Sequence, residues 1–478
     1  MRASSRQREN HFCAGDYMAA RHYAHLALLE AATEHHIGAF RVALQAGNKA
    51  LEAARLAQEP MAECRCHVRL ADIYKARGRF RDAEYHYGEA LRILRDWRPT
   101  SAAQQRWAIH WRARVNRKQG SLYLFRGEPD RALSLLEASI ATFTELKSEY
   151  ELARASYALG WAYSHLGQWD AATAQYAQGL ELTRKLADRR GHLDPRQMLE
   201  GLLCLATAHW QCGRVEKAAC FLYKAQPFID GEQSSRWGGQ TYHEVSRYHL
   251  LRGRILLAKG GPENIQAARD AFQAGIDFHQ TEERQDPGRL ASLYNATGML
   301  ELVAQDRQRE LDPEALHNAV EQFAEALRWA NASDPPNRYY VADVSVNACA
   351  AALQLEEVPE RRLNLLRETQ ARCLEGPFWR QLARLELLWA NECARAQDTA
   401  GLTAHGAQAI AYGMRFNRDV VDQEIIPRVE AIIDDLSIPV EQRPALLEAT
   451  GRHLEALADR GDDRQARQVA EIKERLLS

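Results

Sequence analysis

The chain of 478 residues carries 62 Lys and Arg against 64 Asp and Glu, a formal net charge of −2, and so lacks the basic excess of a general nucleic-acid binder. Hydrophobic residues at 46% and charged residues at 26% exclude a disordered chain, and no run approaches the roughly 18 apolar residues of a membrane span. Ala, Leu, Glu, Arg and Gln dominate, and alternating Val/Ile/Thr runs are missing, so helix is expected throughout and strand nowhere.

From the N-terminus, "MRASSRQRENHFCAGDY" has charge but no apolar stretch behind it. The 9 cysteines form no framework of regular spacings. Both point to a reducing compartment, and a cytoplasmic location is expected. Residues 20–230 then repeat one pattern around a turn glycine, at Gly38, Gly78, Gly127, Gly167 and Gly213. Seven residues before each stands a small residue: Ala31, Ala71, Gly120, Gly160, Ala206. Five after come Ala43, Ala83, Ala132, Ala172 and Ala218, and twelve after come Ala50, Ala90, Ser139, Gly179 and Ala225. Between them lie mostly large residues: Tyr74, Tyr123 and Tyr163 before the glycine, Tyr87, Leu136, Tyr176 and Leu222 after it, with Gly47 breaking the trend.

Offsets of three, four and seven share one helical face. Small residues let two antiparallel helices approach, large ones fill the space beside the crossing, and the glycine suits the left-handed end of the first helix. Each unit is therefore expected to be a helix–turn–helix pair stacked on its neighbours. The pattern continues more weakly with Gly253, Ala268, Phe272 and Gly275, and with Gly298, Ala319, Phe323 and Ala326. Further pairs are expected near 338–374, 377–416 and 419–459, and the last helix, "DDRQARQVAEIKERLL", reads as a cap. The expected divisions are a regular array over 1–230, a degenerate array over 231–435 and capping helices over 436–478.

Little in the sequence looks catalytic. "YHEVSRYH" (242–249) resembles a zinc-protease helix, but Arg247 stands where the second ligand belongs, four residues after His243. Cys64 and Cys66 sit two apart on a helix and point to different sides, and Cys204, Cys212 and Cys220 are expected to be packing residues. His35 and His36 before the first turn suit a helix C-terminus better than a metal. No phosphate-cradling glycine loop is present. No metal, cofactor or catalytic residue is expected.

The small and aromatic columns resemble the tetratricopeptide repeat (TPR), in the long-helix form of bacterial regulators and large scaffolds. That resemblance implies an all-α fold, a right-handed α-solenoid of stacked antiparallel helix pairs, whose first helices line a concave groove. The corresponding inner columns hold Arg65, Arg114, Arg154 and Arg247, then Arg117, Tyr157 and Asn295, then Trp161 and Arg254, with Asn347 further on. Arginines offer charge-assisted contacts to carboxylates, and an aromatic ring packs or stacks on a bound segment. The resemblance implies that the asparagines would clamp a peptide backbone. The reading is a non-catalytic scaffold or adaptor holding a protein or peptide segment, possibly acidic, with neither membrane nor nucleic acid as partner. The alternative is a regulatory subunit that senses a peptide or small ligand and controls a separate effector.

Overall fold

Proline opens many of the helices in the computed structural model of this chain. Its ring presets φ, and its missing N–H would have had no intrahelical partner in a first turn. The structure describes residues 24–25, 27–31, 39–190, 194–230, 242–279, 285–305, 312–376, 378–417, 420–435, 443–458 and 472. Helices α1 (Phe40–Leu56), α2 (Pro60–Ala76), α3 (Phe80–Asp96), α4 (Ala102–Phe125) and α5 (Pro129–Glu145) come first. Then follow α6 (Glu149–His165), α7 (Trp169–Arg190), α8 (Pro195–Gln211), α9 (Val215–Ala225) and the single turn α10 (Pro227–Asp230). Next are α11 (Tyr242–Lys259), α12 (Pro262–Asp277), α13 (Pro287–Gln305), α14 (Pro313–Asn331), α15 (Arg338–Leu355) and α16 (Pro359–Cys373). The chain continues through α17 (Trp379–Arg395), α18 (Thr399–Phe416), a π-helical turn over Val421–Ile425, α19 (Ile426–Asp435) and α20 (Arg443–Ala458). Side chains cap helices that lack a proline: Ser101 accepts from the Gln104 N–H at 3.2 Å, and Asp398 from the Gly401 N–H at 2.9 Å. Among the described residues the fold is all-α, a right-handed α-solenoid of antiparallel pairs.

The turn glycine does what the pattern asked of it. Gly78 has φ +69°, and the Arg79 N–H returns to the Tyr74 carbonyl at 2.9 Å, closing the end of α2. Gly127, Gly167 and Gly213 repeat that angle at 74°, 72° and 69°. Gly38, with His35 and His36 before it, lies outside the described residues, as does most of the expected cap beyond residue 458.

The small columns are where helices cross. Ala71, Ala83, Ala90, Ala132, Ala172, Ala206 and Ala218 are all fully buried. A Cβ on Gly160 would come within 2.6 Å of the Tyr176 ring, and one on Gly120 within 2.9 Å of Leu136, so the large column fills the space its small partner leaves. Gly47 broke the trend because the large residue comes from the next pair: a Cβ there would meet Leu70 at 2.8 Å. Enlarging Ala172 to Leu is therefore expected to cost about 1–3 kcal/mol by overpacking, whereas Gln168→Leu on the exposed turn should change a thermal melt very little.

Two compact units divide the chain. The first comprises Met1–His165, Trp169–Leu300 and Arg328–Asn337, and the second Leu166–Gln168, Glu301–Leu327 and Arg338–Ser478. Within the first unit the end of the array meets its beginning. Phe278 packs beside a cluster of Phe40, Ala43, Ile73 and Ala76. The Asp334 N–H donates to the Gly78 carbonyl at 2.7 Å, and the Arg81 N–H to the Asp334 carbonyl at 3.0 Å. Gly78 itself rests on Ser333 and Pro287, where a Cβ would lie 2.7 Å and 3.3 Å from their side chains. Within the second unit, Ala342, Val346, Cys349, Leu353, Leu366 and Leu382 form a core shared by α15, α16 and α17.

Candidate functional site

First helices of successive pairs touch one another in series, and their charged residues meet there. Arg65, Arg69, Asp72 and Lys75 stand on α2, Arg114, Arg117 and Lys118 on α4, Glu151 and Arg154 on α6, Glu200 on α8, and Arg247 on α11. Spacings of three and four place each group on one helical face. Lys118 Nζ lies 2.5 Å from Asp72 Oδ2, and the Tyr87 hydroxyl donates to Asp72 Oδ1 at 2.7 Å. Arg114 and Arg117 both reach Glu151, at 3.1 and 3.2 Å. Arg247 donates to Cys204 Sγ at 3.4 Å and to Thr207 Oγ1 at 3.3 Å.

Cations outnumber carboxylates in this row, and the titration of several of its groups follows. Burial alone would raise the Asp72 carboxyl, but Lys118, Lys75 and Arg69 outweigh it and hold it well below its usual range. Burial loses likewise at Glu151, where Arg117, Arg114 and Arg154 bring the carboxyl down to about 2. Three cations experience the opposite: burial first, then neighbouring guanidiniums, push Lys75, Lys118 and Arg117 down against the pull of Asp72 or Glu151, whereas at Arg154 burial is outweighed by Glu200, Tyr150 and Glu151, which hold its guanidinium above the usual range. Glu200 differs, because burial dominates there and raises its carboxyl despite Arg154. Among the described residues Arg65, Arg69, Lys75 and Arg154 have no carboxylate within ion-pair distance. Positive charge is therefore left over.

That surplus borders a cavity of ≈ 290 Å³ between α2 and α4. Arg65, Arg69, Arg114 and Lys118, with the carboxylate of Asp72 among them, supply its charged wall, and Val68, Trp107 and Trp111 its apolar one. The indoles of Trp107 and Trp111 lie 5.4 Å apart, centre to centre, and the Arg114 guanidinium sits 4.6 Å over the Trp111 ring. Such a wall suits an anionic group carried next to an apolar one.

Of the residues expected in the groove, Arg65, Arg114, Arg117, Arg154 and Arg247 line this row, but Arg114 and Arg117 already serve Glu151. Tyr157 does not face a ligand. It is 2% exposed, bonds Thr183 Oγ1 at 3.0 Å, and fills the gap between Gly179 and Gly201, where added Cβ atoms would meet it at 2.5 and 2.4 Å. The columns put a residue on the inner helix but did not say which neighbour would cover it. Trp161 packs edge-on against Phe125 with ring centres 4.8 Å apart, and Arg254 lies 5.0 Å over the Trp210 ring. Asn295 and Asn347 are both buried, and the Asn347 side-chain oxygen accepts from Arg384 at 2.5 Å, so a clamp role for it would require breaking that bond. Arg69, Lys118, Trp107 and Trp111 were not singled out in the sequence, although Trp107, Trp111, Arg114 and Lys118 follow one another at spacings of four, three and four.

Cysteine chemistry follows burial. Cys64 packs with Val68 and Tyr87, and Cys66 on the other side with Leu51 and Leu70; burial pushes both thiols up to about 12. Cys204 is buried too, but Cys220 is exposed, contrary to its expected packing role. The His243 side chain lies outside the described residues. Among the described residues no three His, Cys, Asp or Glu side chains are grouped to hold a metal, and no helix is long and apolar enough to cross a membrane.

Comparison with known proteins agrees with the helix pairs. The tetratricopeptide repeat model matches residues 111–185. The human IFIT1 dimer with PPP-AAAA is similar in structure at a TM-score of 0.52 and 10% identity, covering 95% of this chain and 94% of that one. A Rap protein complexed with Competence and Sporulation Factor is similar at a TM-score of 0.51 and 12% identity, covering 85% of this chain and 99% of that one. No curated protein matches in sequence. At such identities the likeness is one of fold.

Proposed function

We propose that this tetratricopeptide-repeat protein is a non-catalytic interaction protein whose first unit takes an acidic segment of a partner protein along its inner row. The observation that carries the reading is that Arg65 and Arg69, neither within ion-pair distance of a carboxylate among the described residues, stand beside the apolar wall of Trp107 and Trp111. A carboxylate entering there meets the Arg65 and Arg69 guanidiniums, which lack a direct ion pair, and a neighbouring apolar side chain finds the indoles. The stacked helices hold these groups in place beforehand, so little ordering entropy opposes binding.

The test is a fluorescence anisotropy titration with labelled peptides rich in Asp, Glu and Phe, against basic peptides of equal length. The acidic pool should bind and the basic pool should not. Arg65→Glu with Arg69→Glu should weaken binding by more than about 500-fold, since each of the two lost charge contacts costs about 2–5 kcal/mol. Binding should also weaken with salt, because partly exposed charges are screened over about 10 Å at 0.1 M. Arg184→Glu, on the exposed face of α7, should leave it unchanged. Arg114 and Arg117 are unsuitable for reversal, because Glu151 depends on them. Equal binding of both pools, or indifference to the double reversal, would remove this reading.

A further inference from the structure

The second unit holds a separate cavity, of ≈ 240 Å³, between α15, α17 and α19. Val346, Ala350, Leu387, Leu388 and Ile432 make most of its wall, and Arg384 and Arg428 enter it from two different helices. Val346, Leu387 and Ile432 are buried and form its floor, while Asn391, Arg428 and Ala431 are exposed at its mouth.

Its charges do not balance. Arg380 is paired with Glu424 at 3.2 Å. Arg384 is held by the Asn347 side-chain oxygen at 2.5 Å and by Asp343 at 3.6 Å. Arg428 has no carboxylate within ion-pair distance among the described residues. Burial first, then Arg380 and Arg428, depress Arg384 against the attraction of Asp343 and Glu424. Two guanidiniums converging on an apolar space repel each other, and an anion between them relieves that repulsion while gaining charge-assisted bonds. The surrounding aliphatic wall rewards an apolar body on the same molecule. The volume lies below the roughly 300–1,000 Å³ of drug-sized sites, which limits that body to about ten heavy atoms.

We infer that this cavity is a binding site for a small carboxylate with an aliphatic or aromatic body, its carboxylate between Arg384 and Arg428. The site is independent of the inner row of the first unit and requires nothing from it. Arg384 is the preset contact, because Asn347 and Asp343 fix its rotamer, and Arg428 closes on the anion from the exposed side.

Phenylacetate is the probe, with phenylacetamide as its uncharged counterpart, titrated by calorimetry into the full chain. Phenylacetate should bind with Kd between about 50 µM and 1 mM, and the amide at least about tenfold more weakly. Arg428→Gln should weaken phenylacetate at least about tenfold without lowering the melting temperature, because Arg428 is exposed and supports no partner. Ala350→Phe should abolish binding by filling the space. Arg65→Gln in the first unit should change nothing, which separates this site from the other cationic cavity. Equal affinity for acid and amide, indifference to both Arg428→Gln and Ala350→Phe, or no binding of phenylacetate at about 10 mM would each overturn the inference.

Discussion

Replacing Lys118 with Met should destabilise the first unit by about 3–5 kcal/mol, because Asp72 is then left buried without its ion pair, with the Tyr87 hydroxyl as its hydrogen-bond partner and only the more distant Lys75 and Arg69 charges. The readout is the urea midpoint followed by tryptophan fluorescence. Adding Asp72→Asn to the same chain should recover part of the loss, since the orphaned charge goes with it. If the single and double variants melted alike, the pair would not be carrying the charge compensation assigned to it. The same network fixes the direction of acid sensitivity. Asp72 and Glu151 ordinarily titrate at 3.8 and 4.5, and both are held lower in the folded chain, Glu151 at about 2. A carboxylate depressed on folding contributes stability that is complete above its unfolded value and disappears as pH falls through the folded one. The share of stability due to these two carboxylates should therefore stay level above about pH 5 and decline towards pH 2, read as the difference in midpoint between the unaltered chain and Glu151→Gln across that range.

Tyr157→Ala should cost about 3–5 kcal/mol, the usual loss for a large ring removed from a core, and should appear as a lower melting temperature. Tyr157→Phe removes only the bond to Thr183 and should cost about 0.5–1.5 kcal/mol. Neither effect concerns ligand affinity: Tyr157→Phe should bind an acidic peptide as the unaltered chain does. A loss of affinity without a loss of stability would return Tyr157 to the groove.

The pairs themselves were legible, because a helix crossing imposes its size rule locally. Ala71 meets a residue about a dozen positions away, and both ends of that contact can be read off the same short stretch. The inner row was legible only by halves. The column of Arg65, Arg114, Arg154 and Arg247 is visible as a spacing, but its neutralising partners come from the next pair, dozens of residues on. Arg114 pairs with Glu151 and Lys118 with Asp72 across that gap. No local period reports how far one pair rotates on the next, and that rotation decides which arginine is satisfied and which is left over. Tyr157 shows the same limit from the other side: its column was right, while the residue covering it, Gly201, belongs to the following pair.

The return of Asp334 to Gly78 bears on how the first unit can change. Pairs in an open stack flex in small, independent increments, like the coils of a free spring. Here the increments must sum to a closed path, since the Asp334 N–H and carbonyl are both engaged, with Gly78 and with Arg81. While both bonds hold, a change in the rotation of one pair on the next has to be offset by changes in the others. The latch joins these backbone bonds to an ion pair of Arg81 with the Asp334 carboxylate at 3.3 Å, and Ser333 and Pro287 pack on Gly78 beside it, so side-chain substitution can retune it at either place.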